Sequence, residues 1–562
     1  MKFFLGIVGL GHHDSAAALV NENGDLLAAA EEERYTRIKF DPSFPKNSIN
    51  FCLNSTGLKI SDISSIGYFF DSKSFFWERF WFALKKPFYL KDYFLKYLKL
   101  KKYEGIGKLI KDHYPSFNGR LNFHHHHLCH ASSVFFTSPF EKATIVSIDG
   151  VGEWETAWFG LGEGTKITKL DSVGWPNSLG EFYASFTQFL GYEANSDEYK
   201  VMGMAPYGKP IYYDKIDELI GIDNNHRFKI NQKFFDFPIG KQPLYNYKFF
   251  SKLFGQPSTY SQNPSDRDKN LAASFQKKLS DCLIDYIKYA VNKTGEKNVC
   301  LTGGVAMNCA AVGDLAKSGI VDKIFINFAS ADDGCAVGAA FLESKNFSNS
   351  FSRKENISAY LGNEWSDFEI KKELDKFSLN YSKPVEGIIE KTSLELNNGK
   401  VIGWFQGKTE FGQRALGNRS ILANPNIKNM KDLINQKIKN RETFRPFAPS
   451  ILEEELNNYY HTYGNSSPFM THTFDAKSIN SYKIPSVVHV DNTSRVQSVK
   501  KDQFYYRLIK SFYNKSNIPV LLNTSFNVNG EPIVNTPEEA IKCFLNTEID
   551  NLSIGSFFCK KN

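Results

Sequence analysis

His126 and His130 stand four residues apart, a spacing that puts two imidazoles on one face of a helix. Two carboxylates follow far along the chain, Asp149 in an Ile-Asp-Gly turn and Asp332 in an Asp-Asp-Gly turn. Two neutral nitrogens and two charged oxygens suit iron, manganese or zinc. The stretch HHLCHASSVFF reads as a helical start, and ATIVSI and KIFINFAS read as buried strands. Both carboxylates follow the C-terminal ends of those strands, the side of an α/β sheet that commonly carries function. The bland alternative is that His124 to His127 is a histidine run, solvated or binding metal adventitiously. On the histidines alone the two readings weigh about equally, and the two distant Asp-Gly turns tip the balance towards a site.

A second set of residues has the opposite charge. The segments GWFQGKTEFGQRALGNRSILANP, KNRETFRPFAPSIL, SRVQSV and VLLNTSFNVNGEPIV gather Arg414, Arg419, Lys439, Arg441, Arg445 and Arg495 among glycines and hydroxyls. Arginine forks and lysine points bind phosphate and carboxylate ligands. Any one of them is more often a surface charge, but several inside apolar or turn-like stretches such as FRPFAPS are hard to read as solvated. In NVCLTGGVAMNCAAVGDLAKSG, a strand, the Gly303-Gly304 turn and a helix aim backbone N–H groups at an anion.

These residues need a large scaffold to hold them, and 562 residues exceed what one hydrophobic core supports, so two or more domains are expected. Apolar content of 42% and charged content of 23% are ordinary for a globular protein. The net charge of +7 is mild, without the Lys/Arg stripe of a nucleic-acid binder. Eight cysteines without a C-x-x-C pair read as reduced, hence cytoplasmic. The N-terminal MKFFLGIVGLG is followed at once by His12, His13 and Asp14, which argues against a signal peptide. No apolar run reaches the ~20 residues of a membrane helix.

Along the chain, residues 3 to 10 read as a strand, followed by a glycine-containing turn and a second strand, SAAALV, that reaches the hairpin signal Asn23-Gly24. Because this turn joins two strands rather than opening a helix, a dinucleotide-binding fold is disfavoured. Strand, tight turn and strand instead resemble the phosphate-approaching hairpins of the sugar kinase, Hsp70 and actin superfamily. ATIVSIDGVGEWETAWFGLGEG repeats the pattern and hints at two related lobes. Residues 74 to 113, aromatic and lysine-rich with helical spacing, read as an inserted helical subdomain in preference to a membrane-surface element. A further helix is expected near Leu271 to Ala290. The polar stretch from Lys345 to Asn356 is a domain boundary.

With HH-x-x-H, EYKVMGMAPYG, LTGGVAMN, DDGCAVGAA, FGQRALGNRS, FRPFAPS and NTSFNVNGEPIV in view, the chain resembles the NodU/CmcH O-carbamoyltransferases over nearly its whole length. The resemblance implies an α/β protein of two parts. Residues 1–352 would form a two-lobed actin-like ATPase superfamily domain for carbamoyl transfer, and residues 353–562 a YrdC-like domain that makes carbamoyl adenylate from carbamoyl phosphate and ATP. The acceptor would be the hydroxyl of a small-molecule natural product, with no nucleic-acid or membrane partner. By motif position it implies a clamp of Arg414, Lys439, Arg445 and Arg495, with Thr524 and Ser525 as hydroxyl or backbone contacts. Gly303, Gly304 and Asn308 would contact nucleotide. His126, His130, Asp149 and Asp332 would hold a divalent metal, by family precedent Fe(II), with Mg(II) accompanying ATP. His12 would be the general base, and Lys200 a second pocket residue.

The chain departs from the family pattern in two places. His12-His13-Asp14 stands where His-Gly-Asp is usual, so either histidine fits the role of base, and Gln413 replaces the proline of GPRALG. Two other readings remain: a small-molecule kinase of the actin-like superfamily, and a non-catalytic nucleotide-binding partner in tRNA modification.

Overall fold

The computed structural model describes residues 1–11, 13–85, 101–223, 226–354 and 357–561. The chain forms two compact units, Met1–Glu32 with Phe40–Ile357, and Ser358–Asn562 with the short segment Glu33–Lys39.

In the first unit, β1 (Phe3–Val8) is almost wholly buried, as its unbroken apolar run requires of a strand covered on both faces. It ends short of residue 10 because the chain turns there, with Leu10, Gly11 and Asp14 all at positive φ. β2 (Ala16–Asn21) returns antiparallel, and β3 (Leu26–Glu31) follows it through the Asn23-Gly24 turn. β4 (Ile63–Tyr68) and β5 (Arg120–Phe123) then add in parallel, giving the order β3-β2-β1-β4-β5.

The second sheet repeats this plan. β6 (Lys142–Ile148), β7 (Glu155–Glu163) and β8 (Lys166–Gly174) are antiparallel neighbours, and a short hairpin of β9 (Ile220–Ile222) and β10 (Phe228–Ile230) stands apart. β11 (Asn298–Thr302) and β12 (Lys323–Phe325) then pair in parallel alongside β6, in the order β12-β11-β6-β7-β8. Each sheet is thus three antiparallel strands extended by two parallel ones, a duplicated α/β plan.

Two helices, His126–Phe136 and Gly334–Phe347, pack face to face in this unit. Their approach needs glycine at 338, because a Cβ there would lie 1.8 Å from the Cys129 carbonyl oxygen. The long helix Asp266–Thr294 extends beyond the apolar stretch Leu271 to Ala290 because its caps lie outside it. Ser265 and Asp268 form a capping box at one end, and Gly295 closes the other in the left-handed conformation.

The second unit is built on one ten-stranded mixed sheet. Its strands are β13 (Asn380–Ser382), β14 (Ile402–Phe405), β15 (Arg419–Ala423), β16 (Ala448–Leu452), β17 (Tyr460–His461), β18 (His472–Ala476), β19 (Thr493–Val499), β20 (Val520–Ser525), β21 (Asn551–Ile554) and β22 (Phe557–Lys560). They lie in the order β13-β22-β21-β14-β15-β20-β16-β19-β18-β17. Trp404, Ile421, Phe512 and Phe544 belong to its single apolar core. The segment Glu33–Lys39 is tied into this unit by Tyr35 Oη to Asn363 Oδ1 (2.6 Å) and by Arg37 to the carbonyls of Pro532 and Ile533 (both 2.8 Å). All eight cysteines are buried thiols, and among the described residues no helix is long and apolar enough to cross a membrane.

Candidate functional site

The helix His126–Phe136 begins immediately after β5 and points both predicted imidazoles at the end of β6. Asp149 Oδ2 lies 3.1 Å from His126 Nε2 and 3.0 Å from His130 Nε2, and the two Nε2 atoms are 3.1 Å apart. Asp332 Oδ1 comes within 3.6 Å and 3.5 Å of the same nitrogens, from the turn that starts Gly334–Phe347. Both histidines and Asp332 are buried. The fold therefore gathers all four residues of the predicted ligand set.

Their ionisation reports crowding. Burial holds His126 below the ordinary imidazole range. Burial also pulls His130 down, but hydrogen bonding and charge from Asp149 and Asp332 outweigh it and lift it to about 9. Burial and the Asp332 charge push the Asp149 carboxyl up, while its bonds to His126 and His130 win and hold it below the carboxylate range. Two carboxylates, Asp332 buried and Asp149 half-buried, share two imidazoles and are short of positive charge, and a divalent cation fits that donor set. Cys335 also brings a ligand atom within 4.8 Å of those of His126, His130 and Asp332. Its Sγ faces the His126 carbonyl at 3.9 Å, however, whereas Asp149 touches both imidazoles, so Asp149 is the better fourth donor.

One residue here was missed in the sequence. Buried Glu153 accepts hydrogen bonds from the backbone N–H of His126 (3.0 Å) and of Asp71 (2.9 Å). It caps a helix whose own N-cap, His125, offers no side-chain bond. Burial raises its carboxyl to about 7 despite those N–H donors. The only signal was an acid in the glycine-rich turn just after Asp149. His127, next to the predicted ligand, is committed elsewhere, to Ser147 Oγ (2.8 Å) and the Glu155 carbonyl (2.9 Å).

Gly303 and Gly304 pass directly beside the cluster. A Cβ on Gly303 would lie 2.2 Å from the Ile148 carbonyl, and one on Gly304 would lie 2.9 Å from Asp149 Oδ1. Asn308 caps the following helix at Ala311 N (3.0 Å) and pairs both ways with Gln276 (3.0 Å each), so its amide acts within the fold. His12 lies outside the described residues. His13 bonds Asp14 at 2.9 Å; burial lowers its pKa, but Asp14, Asp332 and Asp149 outweigh that and raise it to about 10. Lys200 pairs with Asp197 at 2.8 Å and sits over the rings of Tyr192 and Tyr260.

In the second unit, the loop carrying Arg414 is held against one face of the sheet. Its backbone carbonyls at Ala415, Leu416 and Gly417 accept from Asn523 (3.2 Å), Gln497 (2.7 Å) and Trp404 (2.8 Å), on β20, β19 and β14. Glu410 closes the loop by accepting from the N–H groups of Leu416 and Asn418, both at 2.8 Å. Because strand side chains alternate, Arg495 and Gln497 share that face of β19, and Asn523 and Ser525 that of β20, whereas Thr524 points to the opposite one. Buried Arg34 reaches the same loop at the Gly412 carbonyl (2.9 Å) and was not foreseen.

Lys439 follows a tight π-helical turn and is buried at the end of β20. Its ammonium donates to the Ser525 carbonyl (2.6 Å), the Asn527 carbonyl (2.8 Å) and Asn527 Oδ1 (2.7 Å). Burial, then the charges of Arg441 and Arg445, push its pKa well below that of an ordinary lysine. Arg445 lies 3.5 Å from buried Glu442. Arg419 belongs to the framework instead: its guanidinium is wholly buried, donates to the carbonyls of Gln406 (2.6 Å), Gly407 (3.0 Å) and Asn363 (3.1 Å), and stacks 3.7 Å above the Phe405 ring.

The first unit thus carries an acid-imidazole cluster on a duplicated sheet, and the second a buried Lys439 with the half-buried Arg441 and Arg445 near it. The chain belongs to the carbamoyltransferase family: the carbamoyltransferase N-terminus family model matches residues 4–341, and the carbamoyltransferase C-terminus model matches residues 393–561. Nodulation protein NolNO of Sinorhizobium fredii is 36% identical over 98% of this chain and 79% of that protein. The uncharacterized protein sll1178 of Synechocystis is also 36% identical, over 100% of this chain and 97% of that one. Among solved structures, component A of (R)-2-hydroxyglutaryl-CoA dehydratase from Acidaminococcus fermentans is 15% identical with a TM-score of 0.34, over 62% of this chain and 99% of that one.

Proposed function

We propose that this carbamoyltransferase uses ATP and carbamoyl phosphate to form carbamoyl adenylate in its second unit, and transfers the carbamoyl group to a small-molecule hydroxyl with the first. The observation that carries this reading is a pair of charge clusters of opposite sign, the acid-imidazole set and the cations around buried Lys439, one in each family-matched region. ATP and carbamoyl phosphate are both anionic, and Lys439, Arg445, Arg414 and Arg495 offset the repulsion between them. In the first step carbamoyl phosphate and water give carbamate and phosphate. A carbamate oxygen then bonds to the α-phosphorus of ATP and pyrophosphate leaves. Ser525 stands at the mouth of that group through its contact with Lys439.

In the second step the acceptor oxygen bonds to the carbamoyl carbon, AMP leaves, and the acceptor proton passes to a base. His12 is the residue proposed for that base. His13 is the poorer choice, because the Asp14 carboxylate bonded to it favours its protonated form, which has no free nitrogen to take a proton. A divalent cation bound by His126, His130, Asp149 and Asp332, with Fe(II) the ion the family resemblance implies, would supply Lewis-acid stabilisation of the departing phosphate. Mg(II) would accompany ATP. Gly303 and Gly304, which let their turn pack against Ile148 and Asp149, are the proposed nucleotide contacts beside that site. Eight reduced, buried cysteines support a cytoplasmic setting.

The test is pyrophosphate release from ATP by the purified protein, with and without carbamoyl phosphate and with no acceptor present. Release that requires carbamoyl phosphate is the expected result. ADP as the product would replace this reading with a kinase. No turnover together with salt-dependent tRNA binding would replace it with a partner in tRNA modification.

A further inference from the structure

Three buried polar side chains lie beneath the Arg414 loop and bond one another: Ser450 on β16, Gln497 on β19 and Asn523 on β20. Ser450 stands directly opposite Gln497, and Asn523 is opposite Ala448, so strand alternation puts all three on one face of the sheet. The Ser450 hydroxyl donates to Gln497 Oε1 at 2.6 Å, and Asn523 Nδ2 donates to the same oxygen at 3.1 Å. Asn523 Nδ2 also lies 3.0 Å from Ser450 Oγ, which accepts there and gives its one proton to Gln497. Two donors on Oε1 decide which way the Gln497 amide faces. With its oxygen held, Gln497 Nε2 points away from them, at the Leu416 carbonyl, 2.7 Å distant.

The loop is gripped from two sides at that point. Tyr360 Oη donates to the same Leu416 carbonyl at 2.9 Å, Asn523 Nδ2 reaches the Ala415 carbonyl at 3.2 Å, and Glu410 takes the Leu416 N–H at 2.8 Å. Leu416 is two residues after Arg414, so fixing its peptide groups fixes where the arginine starts. The strands that supply the grip also carry the other cation supports. Arg495 stands two residues before Gln497 on the same face of β19, and Ser525, whose carbonyl accepts from Lys439 at 2.6 Å, stands two residues after Asn523 on β20. A buried amide-hydroxyl network of this kind is favourable only when its bonds are made, and so holds one arrangement. We propose that Gln497 is a positioning residue: its amide, oriented by Ser450 and Asn523, sets the Arg414 loop against Arg495 and Lys439 so that the three cations meet one phosphate-bearing anion together. That the anion is ATP or carbamoyl phosphate rests on the reaction proposed above; the positioning does not.

The experiment is a double-mutant cycle between Gln497→Met and Arg414→Ala in the full-length protein. It is read as affinity for inorganic pyrophosphate by calorimetry, and as kcat/KM for carbamoyl-phosphate-dependent pyrophosphate release. Gln497→Met, which keeps the volume and removes the donor, should weaken pyrophosphate binding about tenfold and lower kcat/KM by about 10- to 100-fold, as misplacing a binding group does. In the Arg414→Ala background the same substitution should change pyrophosphate affinity by less than about twofold, because the group it positions is gone. Ser450→Ala, which frees the amide to turn without removing it, should show the same coupling with a smaller loss, and replaces Gln497→Met in the cycle if circular dichroism shows that variant unfolded. Equal losses in both backgrounds overturn the proposal, since Gln497 then serves the fold at large. So does an Arg414→Ala protein with unchanged pyrophosphate affinity, or a parent protein that binds no pyrophosphate. A parent that binds pyrophosphate but releases none from ATP defeats the adenylate reading instead, and the affinity cycle alone then decides the role of Gln497.

Discussion

The acid-imidazole cluster of the first unit and the cation cluster of the second solve opposite problems with the same device, burial. Around His130 two carboxylates crowd two imidazoles, and burial makes the shortage of positive charge costly. Around Lys439 burial and neighbouring guanidiniums disfavour the ammonium, and four oxygens of Ser525 and Asn527 hold it. On the proposed reading one cluster would be completed by a cation and the other by an anion, each meeting charge that the fold has already desolvated. The supports differ as well. The first cluster rests on the end of a strand and the start of a helix, whereas the second depends on a loop pinned by side chains from three strands.

That contrast can be broken one unit at a time. The largest effect is expected from Arg445→Ala, which should lower carbamoyl-phosphate-dependent pyrophosphate release by about 100-fold or more through loss of a charge-stabilising donor, while metal content stays as in the parent; a radiometric pyrophosphate assay beside metal analysis checks both. Asp332→Asn should do the reverse. It should lower bound metal and cut carbamoyl transfer by about 10- to 100-fold, with pyrophosphate release nearly intact, and equal loss of both half-reactions would erase the distinction between the clusters.

Glu153→Ala should weaken metal affinity by about tenfold as an outer-shell change, because the His126 N–H loses its acceptor. Glu153→Gln, which keeps a carbonyl oxygen, should restore most of it, as read by titration with Co(II) absorbance. The smallest effect concerns pH. His130 is raised from 6.5 to about 9, so in metal-free protein its bonds to Asp149 and Asp332 stabilise the fold fully below pH 6.5, and that stability is lost as pH rises through about 9. The melting temperature of metal-free protein should fall across that window by more than that of Asp149→Asn, as followed by calorimetry.

That His126, His130, Asp149 and Asp332 cluster was legible because each had a local signature: a four-residue histidine spacing, or an acid at the end of an apolar run. The duplicated sheet was legible as a repeated strand, turn and strand, and the two-part plan as a resemblance spread over many ordered segments. Glu153 was not legible, because an acid in a glycine-rich turn has no pattern that reveals the helix it will cap. Arg419 looked like Arg414 in the same motif, and only the surrounding carbonyls of Gln406, Gly407 and Asn363 separate a framework guanidinium from one on the cluster face.

Sequence by itself determined the kinds of chemistry present, since residue type and short spacing are local properties of the chain. Tertiary structure decided which of those residues meet. Asp332 reaches His130 across about two hundred residues because glycine at 338 lets two helices close together. Glu33–Lys39 leaves its neighbours in sequence to join the second unit. Burial and long-range contact depend on the whole path of the chain, and no window of sequence contains them.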